Sequence, residues 1–144
     1  MVADILHDLP IDAPIDRVFE AVSTSAGLDA WWTERSKGVP REGHEYELGF
    51  GPEFAWRARV TRVVRPTEFE LVLTRADQDW TGTQVGFRLE PRNGKTWLQF
   101  AHTGWPDRNE HYRVSCTCWA MYLRILRRFL EHGEIVPYDV RLDV

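Results

Sequence analysis

Residues 95–129, KTWLQFAHTGWPDRNEHYRVSCTCWAMYLRILRRF, hold two different periods in succession. At first Leu98, Phe100 and His102 alternate with Trp97, Gln99 and Ala101, the period of a strand buried on one side. Beyond Gly104-Trp105-Pro106 the spacing becomes helical. At about 100° per residue, His111, Ser115, Cys118, Tyr122, Ile125 and Phe129 share a stripe flanked by Val114, Trp119, Met121 and Leu126. Arg113, Thr117, Arg124, Arg127 and Glu131 fall opposite. The segment reads as a strand followed by a long amphipathic helix, with Gly133 as its C-cap.

The period of two continues upstream. Tyr46, Leu48 and Phe50, then Phe69, Leu71 and Leu73, then Val85, Phe87 and Leu89 each alternate with polar or small residues. Trp56 to Val64 forms a further strand with Arg57, Arg59 and Arg62 on its wet side, and a bulge near Val60 is the one device that turns an arginine inward. Arg92-Asn93-Gly94 is a hairpin turn. At the start, Ile5 to Ile11 reads as a strand. Pro14 opens a helix through Ile15, Val18, Phe19 and Val22, and Ser23-Thr24-Ser25 stops it and caps a short second helix from Leu28 to Trp31. An antiparallel sheet and a long helix, each with one apolar face, bury both faces together when the sheet curls around the helix. The expectation is an α+β helix-grip fold in a single domain over residues 1–144.

The composition excludes several classes. A net charge of −4 offers no basic face for nucleic acid, and Arg124, Arg127 and Arg128 read as the solvated side of the helix. No stretch approaches the ~20 apolar residues of a membrane span. The start MVADILHDLP lacks the basic and apolar regions of a signal peptide, which points to a cytoplasmic protein. Cys116 and Cys118, two apart on a helix, point to different sides. They form neither a disulfide nor part of a zinc spacing, and neither a metal nor a cofactor is expected.

The sequence also resembles the START-like (SRPBCC) superfamily, in the branch related to the C-terminal domain of the activator of the heat-shock protein 90 ATPase. The resemblance rests on residues 13–21 (APIDRVFEA), 28–33 (LDAWWT), 96–105 (TWLQFAHTGW) and the helix from Trp119 to Phe129. It implies the same helix-grip fold and a cavity between sheet and helix.

Seven tryptophans are many for 144 residues, and large rigid aromatics suit such a cavity. Phe50, Trp56, Phe69, Leu71, Phe87 and Phe100 from the sheet, with Cys118, Trp119 and Tyr122 from the helix, are the candidate lining for a small apolar or aromatic ligand. Trp31 and Trp32 belong to its rim, one indole packed beneath the sheet edge and the other at the entrance. His102 faces inward by parity, toward Tyr122. It reads either as a structural histidine or as a general base with Tyr122 as acid and Ser115 as a further polar group, for a cyclase-, aromatase- or hydrolase-like enzyme. Trp105 closes the last turn, while Trp80 and Trp97 read as peripheral, Trp80 as part of a lid or a subunit contact and Trp97 as a contact of a homodimer or as packing beneath the N-terminal segment. Gly-rich phosphate loops, nucleophile elbows and paired inward carboxylates are missing. Ligand binding is thus the leading expectation, enzyme action and a chaperone partner the alternatives.

Overall fold

The computed structural model describes residues 3–52 and 55–143. Its strands are β1 (Ala3–Ile11), β2 (Arg35–Lys37), β3 (Glu45–Gly49), β4 (Ala55–Val64), β5 (Glu68–Arg75), β6 (Gln84–Arg92) and β7 (Lys95–Trp105). Its helices are α1 (Ile15–Ser23), α2 (Ser25–Trp31) and α3 (Glu110–His132), and a 3-10 turn runs over Tyr138–Asp143. The seven strands form one antiparallel sheet in the order β1-β7-β6-β5-β4-β3-β2. The sheet curves around α3, with α1 and α2 packed beside it, and the helix-grip expectation holds.

Local chemistry fixes the element ends. Asn93 and Gly94 both have positive φ, 54° and 81°, as the tight β6–β7 turn requires. Thr24 ends α1 and caps α2 by accepting from the Gly27 N–H at 3.0 Å. Asn109 caps α3 through the Tyr112 N–H at 2.9 Å, and Gly133 closes it in the left-handed conformation. The β4 register does shift between Val60 and Arg62. A second shift falls between Arg57 and Ala58. Arg57 and Arg59 nonetheless stay exposed, and Arg57 is paired with Glu45 and Glu47.

One expectation is corrected. The stripe of α3 that meets the sheet runs through Ser115, Trp119, Leu123, Leu126 and Leu130, with Ile125 beside it, whereas Cys118, Tyr122 and Phe129 are half-buried. At 100° per residue this stripe is turned by about 60° from the one centred on Tyr122. Branched Leu side chains take the core, and the stripe carrying His111, Cys118 and Tyr122 becomes a flank.

Candidate functional site

The centre of the grip is solid. Phe69, Leu71, Phe87 and Phe100 are buried from the sheet side, and Trp31 is buried from α2, its indole N–H donating to the Ala21 carbonyl at 2.9 Å. Phe87 meets Trp31 and Phe100 edge to face at 6.0 and 5.5 Å, and Phe100 meets Trp119 at 4.4 Å. These five candidates build core: Trp31, Phe87 and Phe100 interlock and reach Trp119 of α3, and Phe69 and Leu71 are buried beside them.

The open volume lies at one end of this core. A cleft of about 310 Å³ is lined by Trp32, Phe50, Trp56, Trp80, Trp119, Tyr122 and Tyr138, with His111, Val114, Ser115 and Cys118. Five of the rings form a closed circuit. Trp32 to Phe50 is 5.3 Å, Phe50 to Trp56 4.9 Å, Trp56 to Trp80 5.1 Å, Trp80 to Trp119 5.7 Å, and Trp119 back to Trp32 5.1 Å. Each comes from a different place: the end of α2, the end of β3, the start of β4, the β5–β6 loop and the middle of α3. The structure therefore brings together Trp32, Phe50, Trp56, Cys118, Trp119, Tyr122 and Ser115 among the expected site residues. It leaves Trp31, Phe69, Leu71, Phe87, Phe100 and His102 out of the lining.

Trp80 corrects the reading of it as peripheral. It is 9% exposed and packs edge-on against His102 at 4.5 Å, because Asp77 and Thr83 fold the β5–β6 loop back over the core. Trp97 does lie outside, half-buried, its indole 3.3 Å from Asp8 and capped by Arg92. Depressions on the outer sheet face, such as that between Leu6, Arg62 and Arg88, are walled instead by ion-paired surface side chains.

His102 is fully buried and both ring nitrogens are engaged. The Trp119 indole N–H, which can only donate, points at Nδ1 from 3.0 Å. The ring proton is therefore on Nε2 and is donated to Thr83 Oγ1 at 2.7 Å, whose own proton goes to the Trp80 carbonyl at 2.6 Å. Burial, assisted by the charge of His111, lowers the His102 pKa to about 3. The pairing of His102 with Tyr122 is not formed. Tyr122 lines the cleft with Cys118 and Tyr138, and burial pushes its phenol up to about 12. Burial also raises the Cys118 thiol. At neutral pH the cleft thus offers Tyr122 and Cys118 as neutral donors and not as anionic nucleophiles.

The far wall depends on Arg141, which is 4% exposed. Its guanidinium donates to the carbonyls of Val136, Thr33 and Asp29 at 3.1, 3.0 and 2.7 Å and lies 5.4 Å from the Tyr138 ring. Sequence reasoning missed this clamp, since an arginine in a polar tail reads as surface. Among the described residues no group of three His, Cys, Asp or Glu side chains is gathered as a metal site, and no helix is long and apolar enough to cross a membrane.

A family model described as activator of Hsp90 ATPase homolog 1-like protein matches residues 12–131. The chain belongs to that family. No curated protein matches this family member. Among solved structures, the Aha1 dimer from Colwellia psychrerythraea is 26% identical with a TM-score of 0.82, the match covering 92% of this chain and 98% of that one. Protein BH1534 from Bacillus halodurans is 28% identical with a TM-score of 0.75, covering 90% and 97% of the two chains. CalU16 from Micromonospora echinospora, at 23% identity, a TM-score of 0.76 and coverage of 97% and 71%, shares the fold.

Proposed function

We propose that this protein binds a small hydrophobic, aromatic molecule in the cleft between the wide end of the sheet and α3. The observation that carries this reading is the closed circuit of Trp32, Phe50, Trp56, Trp80 and Trp119. Its rings supply flat apolar surface on few rotatable bonds, and a volume of about 310 Å³ suits a ligand of two or three fused rings. The neutral hydroxyls of Ser115 and Tyr122 orient such a ligand without demanding a charge on it. Calorimetric titration with 2-methoxynaphthalene tests the reading, together with native mass spectrometry of the freshly purified chain for a retained small molecule. The expected result is saturable one-to-one binding that Trp56→Ala weakens at least roughly tenfold. No heat with this probe and no retained molecule would set the proposal aside.

A second reading follows from the family match and the likeness to the Colwellia Aha1 dimer: the chain acts, as a homodimer, on a heat-shock protein 90 ATPase. Stimulation of that ATPase by the purified chain, with light scattering for its oligomeric state, tests it. An unchanged ATPase rate removes it.

A further inference from the structure

At the mouth of the cleft, in the first turn of α3, stands an imidazole with the orienting carboxylate that His102 lacks. His111 Nδ1 lies 2.9 Å from Asp79 Oδ2. A carboxylate only accepts, so Nδ1 carries a proton and the plane of the ring is fixed. Asp79 is held in turn by Asn109 Nδ2 at 3.4 Å, and the hydrogen bond from His111 keeps its carboxyl below the usual aspartate range. Trp105 meets the imidazole edge to face at 5.4 Å. The remaining nitrogen, Nε2, is 3.6 Å from Asp77 Oδ2, beyond hydrogen-bond distance, and the His111 side chain is 39% exposed. The residue is thus braced on one side and open on the other. It belongs to the same lining as Trp56, Trp80 and Trp119.

We propose that His111 is the group by which the cleft holds an oxygen substituent on its aromatic ligand, with Asp79 as the positioning residue. Nε2 accepts the hydroxyl hydrogen of a phenolic ring bound against the tryptophans. Where the phenol is acidic enough its O–H bond breaks, the N–H bond forms at Nε2, and the imidazolium is flanked by Asp77 and Asp79. The two carboxylates also favour a neutral donor over a ligand that arrives as an anion, because with a neutral imidazole they make this edge of the cleft negative. The proposal rests on the reading of the cleft as an aromatic-ligand site.

The test uses two probes of one shape, 2-naphthol and 2-methoxynaphthalene, titrated calorimetrically into the full chain. The naphthol should bind about tenfold more tightly, the worth of one hydrogen bond to a fixed acceptor. His111→Phe, which keeps a ring against Trp105 but has no acceptor, should bring the two affinities to within about twofold of each other. Asp79→Asn should shrink the same ratio, whereas a purely structural Asp79 would weaken both probes equally. Near-UV circular dichroism of the tryptophans reports folding of each variant, and His111→Leu replaces His111→Phe if that variant fails to fold. Equal affinities in the wild-type chain, or a naphthol advantage that survives His111→Phe, overturns the role of His111 and leaves the aromatic cleft standing. Absence of binding by either probe overturns the cleft reading and this one with it.

Discussion

The indole N–H of Trp119 and Nδ1 of His102 lie 3.0 Å apart in the buried centre of the molecule, and this contact fixes where the imidazole proton sits. The chain of donors runs in one direction, from Trp119 through His102 and Thr83 to the Trp80 carbonyl. Protonating Nδ1 would turn an acceptor into a donor facing another donor, in a place that water does not reach. His102 therefore joins α3, β7 and the β5–β6 loop, and in doing so it holds Trp80 and Trp119 in the aromatic circuit of the cleft.

Stability should fall on mild acidification. The folded His102 titrates near 3 and an unfolded histidine near 6.5, so below pH 6.5 the unfolded chain binds a proton that the folded chain refuses. The stabilising contribution is complete above pH 6.5 and is lost as the pH falls toward 3, by about 1.4 kcal/mol per unit. Urea unfolding at pH 7.5 and pH 5.0 should differ by about 2 kcal/mol more in the wild-type chain than in His102→Gln. An identical pH dependence in the two proteins would refute the assignment.

Gly27 marks where α2 crosses α1. A Cβ at this position would come 2.4 Å from the Glu20 carbonyl oxygen and 2.6 Å from the Ala21 Cα, both rigid backbone. Gly27→Ala gains at most about 1 kcal/mol of helix propensity. Overpacking costs about 1–3 kcal/mol where nothing can move aside, so the net sign is destabilising. Thermal unfolding should show a lowered midpoint for Gly27→Ala, and a raised one would mean that the two helices separate freely.

The strands were legible because an apolar face repeating every second residue leaves a sheet little choice, and the Asn93-Gly94 turn fixes the β6–β7 register. The three residues of β2 carry no period, so that strand was not legible. Nor was the 3-10 turn, which depends on Arg141 reaching carbonyls more than a hundred positions earlier in the chain. The helix pattern identified α3 but not its rotation, since an aromatic and cysteine stripe and a leucine stripe lie side by side and both count as apolar. That rotation decided the site: His111, Cys118 and Tyr122 turn toward the cleft only because Leu123, Leu126 and Leu130 take the core. The polar loop around Trp80 suggests exposure, yet its Asp77 and Thr83 are what fold the indole inward. Asp79 lies 32 positions from His111, beyond the reach of any local pattern.

Arg141→Met should loosen the C-terminal wall of the cleft. The three carbonyls that it now satisfies would lose their donors, and two of these hydrogen bonds are buried. The expected cost is about 2–4 kcal/mol in urea unfolding. Arg141→Lys should recover only part of it, because one ammonium does not reproduce the fork that spans Val136, Thr33 and Asp29. Hydrogen exchange should quicken around Tyr138 in both variants, and unchanged protection there would show that the segment is held by other contacts.

Core and cleft aromatics should separate in mutagenesis although the sequence pattern treats them alike. Phe87 is 2% exposed and packed on Trp31 and Phe100, so Phe87→Ala leaves a void that the neighbouring rings cannot fill, at a cost of about 3–5 kcal/mol. Trp56 is half-buried, with one side on Phe50 and Trp80 and another on the cleft. Trp56→Ala should therefore lower stability by no more than about 2 kcal/mol while weakening 2-methoxynaphthalene at least roughly tenfold, as the loss of an aromatic anchor does. Phe87→Ala, if it folds at low temperature, should keep most of its affinity, since the ring is absent from the cleft lining. Urea unfolding and calorimetric titration on the same samples give both quantities. Loss of stability and affinity in equal proportion at both sites would mean that binding follows the whole core, and the cleft would no longer be a separable site.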